Sequence, residues 1–218
     1  MKIITDKNQA LIEMMQCGWD LEYASEELKN DREVVLVAVK QHGMALKYAS
    51  KELQNDRDFV LEAMKQNGKA LGYASKEFRA DKEVVLEAVK QDGGALIYAS
   101  EELRADREVV MEAVKKTGYV LIFAKEFRAD KEVVLEAVMQ DGLALEWASE
   151  ELQRDKEVVL AAVKQDGMAL QFASDELRGD KEVVAKAVGQ NADALQFASL
   201  ELQNEIRQIM QDLIKYLK

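Results

Sequence analysis

The sequence predicts an all-α fold: an α-solenoid of eight 25-residue helix–turn–helix repeats followed by a C-terminal capping helix. Three observations carry that prediction. The string Asp-Lys/Arg-Glu-Val-Val-Leu recurs from Asp31, Asp81, Asp106 (with Met111 for Leu), Asp130 and Asp155, and weaker copies begin at Asp6, Asp56 and Asp180. Apolar residues within each copy follow helical spacing behind a capping aspartate. The 218 residues contain no proline, as a gap-free run of short helices requires. Repeats starting at 6, 31, 56, 81, 106, 130, 155 and 180 span residues 6–204 with no linker or shift in composition, so residues 1–218 read as one repeat domain with a capping helix at 205–218.

The first repeat carries Gln9 where later ones have Val or Phe, and Glu13 where they have Ala. Its outer face is therefore polar, as the end of an array should be. The second repeat, residues 31–55, is typical. Asp31 caps a helix whose Val34, Val35, Ala38 and Val39 share one face, and Glu33 lies near its positive end. Gly43 suits a left-handed helix end. A second helix from about Met44 to Leu53 places Ala45, Leu46, Ala49 and Leu53 together. Helices of this length are marginal alone, and stacking supplies the missing surface. Two alanine columns, one through Ala24, Ala49 and Ala74 and another through Ala38, Ala63 and Ala88, let the helices approach closely.

One residue is missing in the fifth repeat, where Phe123-Ala124-Lys125-Glu126 replaces aromatic-Ala-Ser-x-Glu. A deletion turns a helix by about 100°, so an irregularity is predicted near Lys125, with register regained by Phe127. After Asn204, Ile206, Ile209, Met210, Leu213, Ile214 and Leu217 form one stripe. The predicted helix covers the last repeat, or else docks a partner.

The pattern Asp-Lys-Glu-Val-Val-Leu-x-Ala-Val-Lys-Gln-x-Gly-x-Ala-Leu-x-Tyr-Ala-Ser-x-Glu-Leu resembles the tandem repeats of domain-of-unknown-function family 4116. Residues 31–53 and 155–177 follow it almost position by position, and the resemblance covers residues 6–204. It implies about two repeats per family domain, hence four pairs. It implies no activity and no catalytic residues.

Composition narrows the chemistry. With 30 basic and 41 acidic residues the net charge is −11, which argues against a nucleic-acid partner held through its phosphates. The single Cys17 excludes an internal disulfide, and the single His42 excludes sites that need two histidines. Both residues occupy the same repeat position. Neighbouring repeats lie roughly 10 Å apart, too far for a shared zinc site with ligands at about 2.0–2.3 Å. No metal, cofactor or catalytic residue is expected. A glutamate recurs in every repeat (Glu27, Glu52, Glu77, Glu102, Glu126, Glu151, Glu176, Glu201). Eight copies point to structure, through the Lys or Arg after each Asp or through the next helix's first amides. Invariant leucines such as Leu46 and Leu170 read as core. The aromatic column Tyr23, Tyr48, Tyr73, Tyr98, Phe123, Trp147, Phe172 and Phe197 reads as packing between repeats, with an aromatic ribbon as the alternative.

The position after the turn varies most: Trp19, Met44, Lys69, Gly94, Tyr119, Leu143, Met168 and Asp193. Trp, Tyr and Met are common interface anchors. With the column that includes Ile97 and Ile122, it defines the candidate binding edge: Trp19, Met44, Lys69, Ile97, Tyr119, Ile122, Leu143 and Met168. The reading is a non-enzymatic binding or scaffold module presenting an extended face to a protein or peptide. The alternatives are an acidic decoy that mimics nucleic acid and a small-molecule-sequestering repeat protein. No stretch spans a membrane or reads as a secretory signal, so a cytoplasmic location is expected. A monomer is favoured over self-association.

Overall fold

The structure, a computed structural model, describes residues 3–216, with side chains as far as Asp212. It is all-α and built from the predicted repeats. The chain divides into two compact units, Met1–Lys116 and Thr117–Lys218, so the boundary falls inside the fifth repeat. Each unit is a solenoid of stacked repeats.

A repeat holds three helical segments rather than the predicted two. In the second repeat a ten-residue α-helix, Arg32–Gln41, precedes a six-residue 3-10 helix, Gly43–Tyr48, and a four-residue α-helix, Lys51–Gln54. The expected second helix breaks because its serine starts a new one. Ser50 adopts extended dihedrals, and its hydroxyl accepts from the Leu53 amide. Its own amide donates to the Lys29 carbonyl of the preceding repeat at 2.8 Å and cannot continue a helix. The same staple joins Ser100 to Arg79, Ser149 to Arg128, Ser174 to Gln153 and Ser199 to Arg178, at 2.7–3.0 Å. In the first repeat Ser25 instead donates to Ile4, at 2.8 Å, so the leading segment supplies the missing neighbour.

The predicted aspartate caps are present. The Asp31 carboxylate accepts from the Glu33 and Val34 amides, and Asp81, Asp106, Asp130, Asp155 and Asp180 repeat the arrangement. Behind them the Val-Val-x-x-Ala faces are fully buried. Gln9 and Glu13 lie on the first helix and bond to each other at 2.8 Å, but the predicted polar outer face is interrupted, since Ile12 and Met15 on the same helix are exposed.

The turn glycine has a different role from the one expected. No described residue has a positive φ, so Gly43 is not a left-handed cap. The glycines are contact points instead. A Cβ on Gly18 would meet the Ala38 carbonyl oxygen at 2.2 Å, one on Gly68 would meet that of Ala88 at 2.3 Å, and one on Gly142 that of Ala162 at 2.5 Å. Each lies against the long helix of the next repeat, and any side chain would hold the two apart.

The recurring glutamate also differs. Lysines and arginines after the cap aspartates bind forward, to the next repeat's cap and the glutamate two residues beyond it. Lys82 reaches Asp106 at 2.7 Å and Glu108 at 2.9 Å, and Lys131 reaches Asp155 and Glu157, both at 2.7 Å. The recurring glutamates lie instead in the first turn of the short helices. The Ser75 hydroxyl and the residue's own amide hold the Glu77 carboxyl below its ordinary value, a reciprocal cap.

The irregularity near Lys125 is present. With the serine missing, Ala124 takes φ −107° and ψ 60°, and a three-residue 3-10 turn, Lys125–Phe127, replaces the short α-helix. The Ser149–Arg128 staple then restores the pattern.

The predicted C-terminal helix is present. It runs unbroken from Leu200 to Tyr216, continuing the eighth repeat's short helix. Leu202 and Gln203 are buried, but Ile209 and Met210 are 59% and 57% exposed. In the described part of the stripe Ile206 is half-buried, while Ile209 and Met210 face solvent. Leu213, Ile214 and Leu217 lie outside the described side chains.

Candidate functional site

All eight candidate residues lie on the 3-10 helices. In the N-terminal unit, Trp19 follows the first residue of Gly18–Tyr23 and is 40% exposed, its ring 5.9 Å from that of His42. Met44 is half-buried in Gly43–Tyr48. Lys69 is exposed, its amide donating to Asn67 Oδ1 at 3.0 Å and its Nζ 3.6 Å from Asp92. Ile97, the fifth residue of Gly93–Tyr98 and in the second candidate column, is exposed. In the C-terminal unit, Tyr119 is 48% exposed and Leu143 is exposed, while Ile122 and Met168 are half-buried.

Local chemistry fixes these segments. The residue before each six-residue 3-10 helix is extended and, where it is Asp or Asn, its side chain accepts from the amide two residues on. Asp141 holds Leu143 at 3.1 Å, and Asp166 holds Met168 at 2.9 Å. Cys17 and His42 occupy this same position, and their separate helix ends explain why they make no common site. Among the described residues no group of three His, Cys, Asp or Glu side chains could hold a metal ion.

At the other end of several 3-10 helices a long polar side chain ties the last carbonyls. Gln54 Nε2 donates to Leu46, Lys47 and Ala49 at 2.9–3.1 Å, Gln153 to Leu145 at 3.0 Å, and Gln203 to Ala198 at 2.8 Å. Arg128 donates to the Ile122 carbonyl at 2.9 Å and stands 5.6 Å above the Trp147 ring. The column Lys29, Gln54, Arg79, Arg104, Arg128, Gln153, Arg178 and Gln203 always carries a long donor. That uniformity is the signal the sequence holds for this contact.

Within each unit the aromatic column lies on the same 3-10 helices. Tyr73 and Tyr98 are exposed, and the others whose burial is described are half-buried. Tyr98 lies over Gly72, where a Cβ would meet its Cε1 at 3.0 Å. Burial, and then the neighbouring Glu22 carboxylate, push the Tyr48 phenol above its ordinary value. These rings thus pack between repeats and also line the edge.

Two features escaped the sequence reading. Gln165 Oε1 accepts from the Gly142 amide at 2.6 Å while its Nε2 donates to the Gln140 carbonyl at 3.2 Å, and Gln190 does the same one repeat later. Away from the 3-10 helices, Met139, Leu160 and Ala161 line an open groove. Their signal was an apolar residue in two columns that are charged in most of the middle repeats, Lys40 to Lys115 with Lys164, and Glu62 to Glu136.

Among the described residues no helix is long and apolar enough to cross a membrane. A family described as a domain of unknown function (DUF4116) matches the chain five times, over residues 12–54, 38–79, 81–126, 106–153 and 155–203. The matches overlap and do not fall into the four pairs the resemblance implied, because a two-repeat unit can be laid on a 25-residue period in more than one register. No curated protein and no solved structure matches the chain.

Proposed function

From the premise that the chain belongs to the DUF4116 family of domains of unknown function, we propose that it is a non-enzymatic binding module whose 3-10 helices present a face to a protein or peptide partner. One observation carries this reading. Of the thirteen large apolar side chains exposed among the described residues, six (Trp19, Tyr73, Ile97, Tyr98, Tyr119 and Leu143) lie on 3-10 helices, at three positions of the repeat. Exposed aromatic and aliphatic side chains on a rigid backbone are what a recognition surface needs. The cap aspartates are engaged by lysines and arginines, which favours a mixed surface over a phosphate-like acidic stripe. The proposed compartment is the cytosol, which suits the free thiol of Cys17.

A displayed random-peptide library panned against the wild type and against a variant carrying Trp19→Ser, Ile97→Ser, Tyr119→Ser and Leu143→Ser tests the proposal. Enriched peptides should bind the variant at least tenfold more weakly. Peptides that bind both proteins alike would sink the assignment of this face.

A further inference from the structure

We propose, on the reading that the 3-10 helices form a peptide-binding face, that the peptide is proline-rich and acidic and lies in the polyproline II conformation across repeats two to four. Tyr73 and Tyr98 are its proline contacts, and Lys47 and Lys69 are its carboxylate contacts. All four residues belong to the N-terminal unit.

The chain supplies its own contrast. The aromatic column is Tyr23, Tyr48, Tyr73 and Tyr98 in the N-terminal unit, and Phe123, Trp147, Phe172 and Phe197 in the C-terminal unit. Either set packs between repeats, so packing alone does not account for four consecutive phenols. Tyr73 and Tyr98 are 39% and 37% exposed. Tyr98 takes the place of a side chain on Gly72, since its Cε1, Cδ1 and Cζ would stand 3.0–3.1 Å from a Cβ there. Gly72 immediately precedes Tyr73, so the two exposed rings flank a position with no side chain of its own. Tyr48 is different, because the Glu22 carboxylate already engages its phenol.

Spacing selects the peptide conformation. Neighbouring repeats lie roughly 8–10 Å apart. A polyproline II helix presents the same edge every third residue, roughly 9.3 Å on, so one turn spans one repeat. A β-strand returns to the same face after roughly 6.6 Å, and its third residue points the other way. An α-helix returns after seven residues, roughly 10.5 Å, but bonds its own carbonyls. Polyproline II leaves its carbonyls free to accept from the two phenols, and proline-rich segments dock on aromatic surfaces.

Charge selects the composition. The 3-10 helices of repeats two to four carry Lys47 and Lys69 and no acidic residue, in a chain of net charge −11. Both lysines are exposed. Lys69 Nζ stands 3.6 Å from Asp92, longer than a hydrogen bond, and Asp92 already accepts from the Gly94 amide at 2.9 Å. The first repeat reverses the sign, with Asp20 and Glu22 on Gly18–Tyr23. Carboxylates on the peptide are therefore drawn to repeats two to four and kept off the first.

Fluorescence anisotropy of labelled peptides with the full chain is the test. A Pro-Pro-Glu repeat peptide of about five turns should bind at least tenfold more tightly than a Pro-Pro-Lys repeat or a flexible Gly-Ser-Glu repeat of equal length. Tyr73→Phe with Tyr98→Phe removes two hydroxyls and leaves rings that the C-terminal unit also uses. It should weaken binding at least fivefold at unchanged circular dichroism. Lys47→Glu with Lys69→Glu should turn the preference toward the Pro-Pro-Lys repeat. Equal binding of the three peptides, or binding indifferent to either double variant, overturns the proposal. The four-serine variant separates occupant from face. Library peptides that need the face but carry no proline overturn this occupant and leave the face standing. Library peptides indifferent to the face remove both.

Discussion

Gly167 lies against the backbone of Ala187 so closely that a Cβ on it would stand 2.3 Å from the Ala187 carbonyl oxygen. The eighth repeat, with no repeat after it, has Ala192 at the corresponding position, exposed. The glycine column therefore records stacking. Gly167→Ala is expected to cost about 1–3 kcal/mol through forced separation of backbones. Ala192→Gly should change stability by no more than about 1 kcal/mol. Urea midpoints of the two variants decide the matter, and equal losses would refute the assignment.

Inserting serine between Ala124 and Lys125 restores the aromatic-Ala-Ser-x-Glu sequence and the 25-residue step. The added hydroxyl can cap a regular short helix, a contribution of about 1 kcal/mol. The inserted variant is expected to unfold at a higher temperature than the wild type by calorimetry. Conversely, Ser174→Ala removes the acceptor of the Leu177 amide and should cost about 1 kcal/mol.

The ladder between repeats sets a pH window. Lys82, Lys131 and Lys156 hold the Asp106, Asp155 and Asp180 carboxyls below their ordinary values, the charged hydrogen bond being the leading cause. A depressed carboxyl stabilises the fold above its unfolded value of about 3.9 and loses that contribution as pH falls through the lower folded value. The same carboxylates, again through the hydrogen bond first, raise the three lysines. Their contribution is complete below about pH 10.4 and is lost as pH rises through the higher folded values. Thermal stability should thus be flat between about pH 5 and 9 and fall outside that range. Lys156→Met should shrink the acid-side fall, and high salt should flatten it, because these pairs are solvent-exposed.

The face assigned to binding should be dispensable for folding. Trp19, Ile97, Tyr119 and Leu143 remain substantially exposed, so each serine replacement should cost less than about 1 kcal/mol. Leu170→Ala, at a fully buried position two residues after Met168, should cost about 2–5 kcal/mol. Chemical denaturation of the five single variants checks the contrast.

Periodicity made the repeats, the aspartate caps, the buried Val-Val-x-x-Ala faces and the disturbance at Lys125 legible, because each depends on residues within one turn of helix. The candidate edge was partly legible. Variation from repeat to repeat pointed to Trp19 and Tyr119, but not to Tyr73 and Tyr98, whose column is uniform. Their exposure follows from neighbouring repeats, as with Gly72 beneath Tyr98.

The sequence by itself determined the all-α class, the 25-residue period, the repeat starts and the core columns, since local spacing and capping decide these. Only the tertiary structure decided why Gly18 and Gly142 must be glycine, why Ser50 splits the second helix, which carboxylates the lysines choose, and that Ile209 and Met210 stay uncovered. Each of these depends on an atom in another repeat, or on the absence of one. Periodicity reveals that repeats stack, but the distance between two backbones fixes which groups meet.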